Sequence, residues 1–381
     1  MYKKIFLFPF LLLLFSCFLS SAIVIKNSKK PSGELDKKPG RSIKLTEVQR
    51  ITDIEDDFIF RRIRGIKIAE DSSIFVRGRD HLHQFTPEGK FIRNFIKKGE
   101  GPGEVKYFTN FSITEKSIVI GSILPVKIIK YSHQGELWKE FTIQGLSAFA
   151  SLLENRNNRS YFVSGESFLD NAKTGVIPRE NSLYYVDNKG FVVNMNLSFD
   201  TKDMLVKKSS KAGVMVSMDE LTLLLRAFDR SSFLYISNKE RYKISQIDLK
   251  TDKVIKEFSR EYKSVDYIKR KYKKKEDIEL YALDNRKSYN DIYKLTTYNS
   301  NLLVFTSTMN KNKEVLVDVF DNTGKYIDNF YIKIPGVNRP DDLIRKPALF
   351  NKGFLWTTDT DEDDVPFVIK YKVDQKLSYL Q

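Results

Sequence analysis

One pattern recurs along this chain: an apolar strand, a tight polar turn that usually ends in glycine, and a second apolar strand. It reads HQFTPEGKFIRNF from His83, IIKYSHQGELWKEF from Ile128, LYYVDNKGFVVNM from Leu183, ISQIDLKTDKVIKEF from Ile244 and VDVFDNTGKYIDNF from Val317. A weaker copy, VIKYKVDQKLSYL, starts at Val368. The turn positions are Gly89, Gly135, Gly190, Asp252, Gly324 and Gln375. Glycine supplies the positive φ that such hairpin turns need, and Asp or Asn stabilises them by bonding its own backbone.

Each copy follows another apolar strand: SIFVRG from Ser73, SIVIGS from Ser117, SYFVSG from Ser160, SFLYIS from Ser232, LLVFTS from Leu302 and GFLWTT from Gly353. Upstream lies a further short apolar stretch, such as GIKIAED from Gly65 or FSITEK from Phe111. Four strands in each of six units predict an all-β, six-bladed β-propeller of four-stranded antiparallel blades, because closing a ring leaves only short protected sheet edges. A β-sandwich does not usually repeat one four-strand signature six times, and a β-helix has shorter coils. The 28 Phe and 19 Tyr fit a strand-rich core. The turns are unevenly spaced, so extra length must sit in loops. The ring should span residues 42–381. Because its sixth unit is weak, SIKLTEVQRI at residues 42–51 is expected to pair with the C-terminal strands and latch it.

The N-terminus predicts export. Lys3 and Lys4 precede the apolar run IFLFPFLLLLF at residues 5–15, too short to span a bilayer comfortably. The following LFSC resembles the lipobox of bacterial lipoproteins, with Leu14 and Ser16 in place and Cys17 as the lipid acceptor, while Phe15 departs from the small or β-branched residue usual there. Cys17 is the sole cysteine, which excludes a disulfide within the monomer and stands where an acyl anchor needs it. Residues 1–16 are therefore read as signal peptide and 17–41 as a lipid-anchor tether, rich in Ser, Lys, Pro and Gly. The competing reading is a soluble periplasmic or secreted protein cleaved after Ser20, Ser21 and Ala22. The net charge of +15 is spread among alternating basic and acidic residues, a solvated surface rather than a nucleic-acid site.

The strand pair F-x-x-x-G-K-F at Phe85 to Phe91, followed by K-x-G-x-G-P-G-E at Lys97 to Glu104, resembles the bacterial six-bladed β-propeller family related to NHL-repeat proteins. Such proteins are common as envelope lipoproteins, and the likeness covers roughly residues 42–381. It implies an extracytoplasmic binding or scaffold module and supplies no catalytic residues.

The glycine-dense segment FIKKGEGPGEVKYF, residues 95–108, matches neither a P-loop, which needs a Lys-Ser or Lys-Thr and a following helix, nor the dinucleotide spacing. VKYFTNFSI follows as a strand, so the segment is read as the corner from the outer strand of blade 1 to the inner strand of blade 2. Glu104 is expected to accept hydrogen bonds from the loop's own amides.

Loops between blades share a face with those joining second to third strands, and that face, with the central channel, is where propellers usually hold ligands. Three long segments are expected there: residues 165–181, residues 198–218, and residues 259–291. The last, rich in Lys, Glu, Leu and Ala, is read as a short helical insert between blades 4 and 5. Its basic run supplies Lys269, Arg270, Lys271 and Lys273 as ligand-face candidates. The acidic run of blade 6 supplies Asp361 and Asp363, whose spacing fits no EF-hand. His81 and His83 share a strand face but lack an evident third metal ligand. No G-x-S-x-G elbow is present.

These features predict a binding module without cofactor, acting on a protein, peptide or glycan and attached to the membrane by lipid. The alternative is a Ca²⁺-dependent hydrolase or lactonase with its site in the channel, for which Asn110, Glu154 and Asp291 are inner-strand candidates. The two differ in whether several inner strands converge carboxylates on the axis.

Overall fold

The computed structural model describes residues 41–52, 60, 62–146, 150–165, 175–209, 213–217, 225–229, 232–237, 241–271 and 286–374. Strands dominate it, arranged as six radial blades. The inner strands are Gly65–Ile68, Tyr107–Ile113, Ser151–Arg156, Leu225–Phe228, Ile292–Tyr298 and Leu349–Asn351, in blades 1 to 6. In every blade the inner strand pairs antiparallel with the second strand.

The two-residue period of a strand sends alternate side chains to opposite faces, and both faces of each blade are buried against a neighbour. In blade 1, Ile74 and Val76 enter the cluster shared with blade 6, while Phe75 enters the cluster shared with blade 2. In blade 5, Leu302 and Val304 face blade 4, and Leu303 and Phe305 face blade 6. Second strands therefore read as unbroken apolar runs rather than alternating ones. Six apolar clusters result, one between each pair of adjacent blades, the pair of blades 6 and 1 included. Each fully buried Ile or Phe contributes about 1.5–3 kcal/mol relative to exposure.

The predicted turns fold as expected. Gly89, Gly135, Gly190, Asp252 and Gly324 all hold positive φ, and at Gly89 the amide donates to Thr86 while Thr86 donates to Lys90. Gln375 lies outside the described residues. The outer strand of blade 6 is instead Leu45–Ile51, antiparallel to Pro366–Val373 with Leu45 opposite Val373 and Ile51 opposite Val368. Just before it, Arg41–Ile43 runs parallel to Tyr326–Ile332 as a fifth strand of blade 5. The N-terminal segment thus latches the ring across two blades, burying Ile43 in one interface and Ile51 in the next.

The glycine-rich corner is a structural connector between blades 1 and 2. Lys97–Lys98 pairs with Glu104–Val105 in a short parallel ladder, and Gly101 N–H donates to Glu104 Oε2 at 2.8 Å. Blade 2 grips it: Tyr131 donates to Gly103 O at 2.7 Å, Gly103 N–H donates to Glu140, and Lys127 bridges Glu140 at 2.6 Å. Gly103 has φ of 71°, and an added Cβ there would lie 3.1 Å from the Tyr131 hydroxyl, so the position requires glycine.

Three expectations are corrected. The described flanks of the segment between blades 4 and 5 are extended rather than helical: Asp266 bridges Ser288 antiparallel, with Tyr267 donating to Lys287 and Tyr289 to Val265. Residues 272–285 of that insert lie outside the described residues. The only described helical segment is the 3-10 turn Pro340–Ile344. Second, residues 175–181 belong to the strand Gly175–Val186 rather than a loop. Third, residues 198–209 continue the strand Val192–Ser209, which pairs Gly213–Ser217 and makes blade 3 five-stranded. Alternation of Met195, Leu197 and Phe199, which all pack on the cluster between blades 3 and 4, carries that strand outward.

Candidate functional site

Inner strands converge on the axis, so a long charged side chain there has no neighbouring core to enter and reaches the channel. The described inner strands carry Lys67 in blade 1, Arg156 in blade 3, Arg226 in blade 4 and Lys294 in blade 5, against one carboxylate, Glu154 of blade 3. Arg77 joins them from the end of blade 1's second strand, paired with Gly65, and its carbonyl accepts from Arg64 N–H at 2.7 Å.

These groups meet across the ring. Lys67 Nζ lies 2.7 Å from Glu154 Oε2, an ion pair that passes over blade 2, and Ser112 of blade 2 donates to the same carboxylate. Asn110 Nδ2 donates to the Leu152 and Leu153 carbonyls at 3.2 and 3.1 Å, tying inner strands of blades 2 and 3. Arg226 stands in the blade opposite Arg77 and still acts on it electrostatically. Burial first, then Arg64 and Arg226, push the Arg77 guanidinium down to about 9. Burial lowers Arg226 as well, with Glu154 partly restoring it. Desolvation alone brings Lys294 down to about 8. Two guanidinium nitrogens, Arg77 Nε and Arg156 Nε, are buried without a hydrogen-bond partner, the first guanidinium over the Phe108 ring and the second over Phe228.

Glu154, the only carboxylate on the described inner strands, is already paired with Lys67 and bonded by Ser112. Asp291 is drawn away from the axis, accepting from Tyr242 N–H at 2.9 Å and from Ser264 at 3.3 Å. Of the three inner-strand candidates, Asn110 and Glu154 come together and Asp291 does not.

The surface candidates are distributed differently. Lys269 and Lys271 are exposed. Arg270 does not stand in an open basic patch: it reaches the next connection, with Nε 2.9 Å from Asp341 and Nη2 2.8 Å from Asp342. Asp341 is fully buried and also receives Arg339 at 3.2 Å, so these groups staple two loops together. Lys273 and Cys17 lie outside the described residues. Asp361 closes its own turn, accepting from Asp363 N–H at 3.0 Å and Val365 N–H at 2.8 Å, while Asp363 is exposed. His81 and His83 stack at 4.3 Å, buried, and His83 is pushed down to about 3 by burial and then by His81. No group of three or more His, Cys, Asp or Glu among the described residues is arranged to hold a metal ion.

Sequence reasoning missed Arg77, Arg226, Lys67 and Lys294. A signal was present: each is a lone cation inside an otherwise apolar strand, as in GIKIAED and SIFVRG.

A family model described as a 6-bladed beta-propeller, DUF5128, matches residues 52–330. Among solved structures, a member of the DUF4221 family from Bacteroides vulgatus is similar at 10% identity and a TM-score of 0.56, covering 88% of this chain and 99% of that one. A candidate exported protein from Bacteroides fragilis is similar at 12% identity and a TM-score of 0.50, covering 87% and 96%. At such identities the likeness is one of fold. No curated protein matches the chain.

Proposed function

We propose that this chain, which belongs to the DUF5128 family of six-bladed β-propellers, is a non-catalytic binding module of the bacterial cell envelope that takes its ligand at the mouth of its central channel. The observation that carries this reading is the composition of the axis: among the described residues, the inner strands bring cations together and their one carboxylate is already paired. A hydrolase built around channel Ca²⁺ needs several converging oxygen ligands, whereas here Glu154 is taken by Lys67. The envelope location rests on the N-terminal signal pattern, with Cys17 as the lipid acceptor, and agrees with the candidate exported protein of similar fold from Bacteroides fragilis.

Metal content and melting of the purified mature protein test the reading. The expected result is a metal-free protein whose melting temperature is indifferent to Ca²⁺ and to EDTA. A bound Ca²⁺ that raises the melting temperature and is stripped by EDTA overturns it in favour of the hydrolase.

A further inference from the structure

From the convergence of Arg64, Arg77 and Arg226 at one end of the channel, we propose that the mouth is an oxyanion site that takes a carboxylate, sulfate or phosphate group of the ligand. This deepens the channel reading above and rests on it.

The strand topology brings these three arginines to one end of the channel by different routes. Arg77 ends the second strand of blade 1, where the chain turns toward the face carrying the inter-blade connections. Arg64 immediately precedes the inner strand of the same blade and is fixed to Arg77 through the backbone. Arg226 is the second residue of the inner strand in blade 4, close to the same end, directly across the ring. An arginine held near two others is unfavourable unless something negative offsets it. The described neighbours acting on Arg77 are cations alone, and its Nε is buried without a partner. Glu154 reaches Arg226 electrostatically, but its oxygens are bonded to Lys67 and Ser112. Arg270 and Arg339, by contrast, are enclosed against a carboxylate, that of Asp341. At the mouth, no carboxylate among the described residues bonds the Arg77 guanidinium.

Guanidinium groups suit this role because their planar fork gives two parallel N–H donors to one oxyanion, at strength about twice that of a neutral hydrogen bond. Phe108 under Arg77 presents a flat apolar face that keeps the fork oriented. A ligand that places an acid group on the axis would therefore meet donors from opposite sides of the ring.

The test is thermal melting and calorimetry of the mature protein with inorganic phosphate, sulfate and glucuronate, at constant ionic strength set with chloride. The native protein should melt at higher temperature with at least one probe. R77Q and R226Q should each weaken that binding about tenfold, the worth of one charge-assisted hydrogen bond. R77K, which keeps the charge and loses the fork, should bind with intermediate affinity. Without any probe, R77Q should melt no lower than the native protein, because it removes repulsion; this separates lost binding from lost folding. Preference for phosphate or sulfate assigns a tetrahedral group, and preference for glucuronate assigns a sugar carboxylate; both support the proposal. An undiminished response in R77Q and R226Q puts the anion elsewhere and overturns it. No response to any probe also overturns it, while leaving a channel mouth that binds a neutral ligand.

Discussion

Arg260 and Arg77 are the same residue type in two enclosed places, and the fold treats them oppositely. Arg260 lies between blades 4 and 5 with its side chain 13% exposed, 2.8 Å from Asp318, which is fully buried. Asp318 also accepts from Tyr242 at 2.6 Å and Tyr326 at 3.2 Å, and Arg260 lies over the rings of Tyr242 and Tyr262. Burial alone would depress Arg260, but Asp318 outweighs it and holds the guanidinium above its ordinary value. Arg77 is depressed, by burial and then by its cationic neighbours. The difference separates scaffold from site. A charge whose partner is supplied by the chain welds blades together; the partner that Arg77 lacks among the described residues is, in the oxyanion proposal, supplied by a ligand.

Three perturbations sharpen that division. The largest effect is expected from removing the latch, residues 41–51, which belongs wholly to the scaffold. Its loss strips a strand from blade 6 and uncovers Ile43 and Ile51, each worth about 1.5–3 kcal/mol. The melting temperature should fall clearly, and an unchanged one would refute the latch. Next, Asp318→Ala leaves Arg260, Tyr242 and Tyr326 facing one another without their acceptor. Breaking a buried pair from one side costs about 3–5 kcal/mol, to be read from urea unfolding. A loss below about 1 kcal/mol would show that the network is not what joins these blades.

The smallest effect belongs to the axis. Lys294 is held at about 8 in the fold against an ordinary 10.5. Between those values the unfolded chain binds more protons than the native one, so stability should rise with pH across that window and level off above it. K294M should therefore be more stable than the native protein at neutral pH, and its advantage should shrink between pH 8 and 10. A gap independent of pH would place Lys294 in contact with solvent or an anion.

What the sequence disclosed follows the same line. Scaffold is repetitive, and repetition is visible: the turns at Gly89, Gly135, Gly190 and Gly324, the apolar second strands and the latch at residues 42–51 could all be placed from pattern. The long strand of blade 3 is read from the sequence only as far as Met195: the alternation through Leu197 and Phe199 carries it on, but its charged continuation reads as a loop. The site was legible only as lone cations within apolar strands, not as a cluster. Arg77 and Arg226 lie far apart in the chain, and nothing local tells an arginine that will meet a carboxylate from one that will meet another arginine. Only ring closure decides who stands opposite whom. Arg270 shows the converse error, since a run of basic residues suggests an open patch, yet its guanidinium is spent on Asp341 and Asp342.

The N-terminal segment has a mechanical consequence. Arg41–Ile43 lies parallel to its neighbour strand in blade 5, and Leu45–Ile51 continues along blade 6, so a pull on the chain ahead of residue 41 enters the molecule at its seam. A load along Arg41–Ile43 shears its ladder bonds together, rather than opening them one at a time. Thr46 and Asp374, bonded at 2.6 Å across a sequence separation of 328 residues, hold the junction between those two strands. A tether leading to a membrane would thus strain the very strand that keeps the ring shut, and tension would be felt as a tendency of blades 5, 6 and 1 to part.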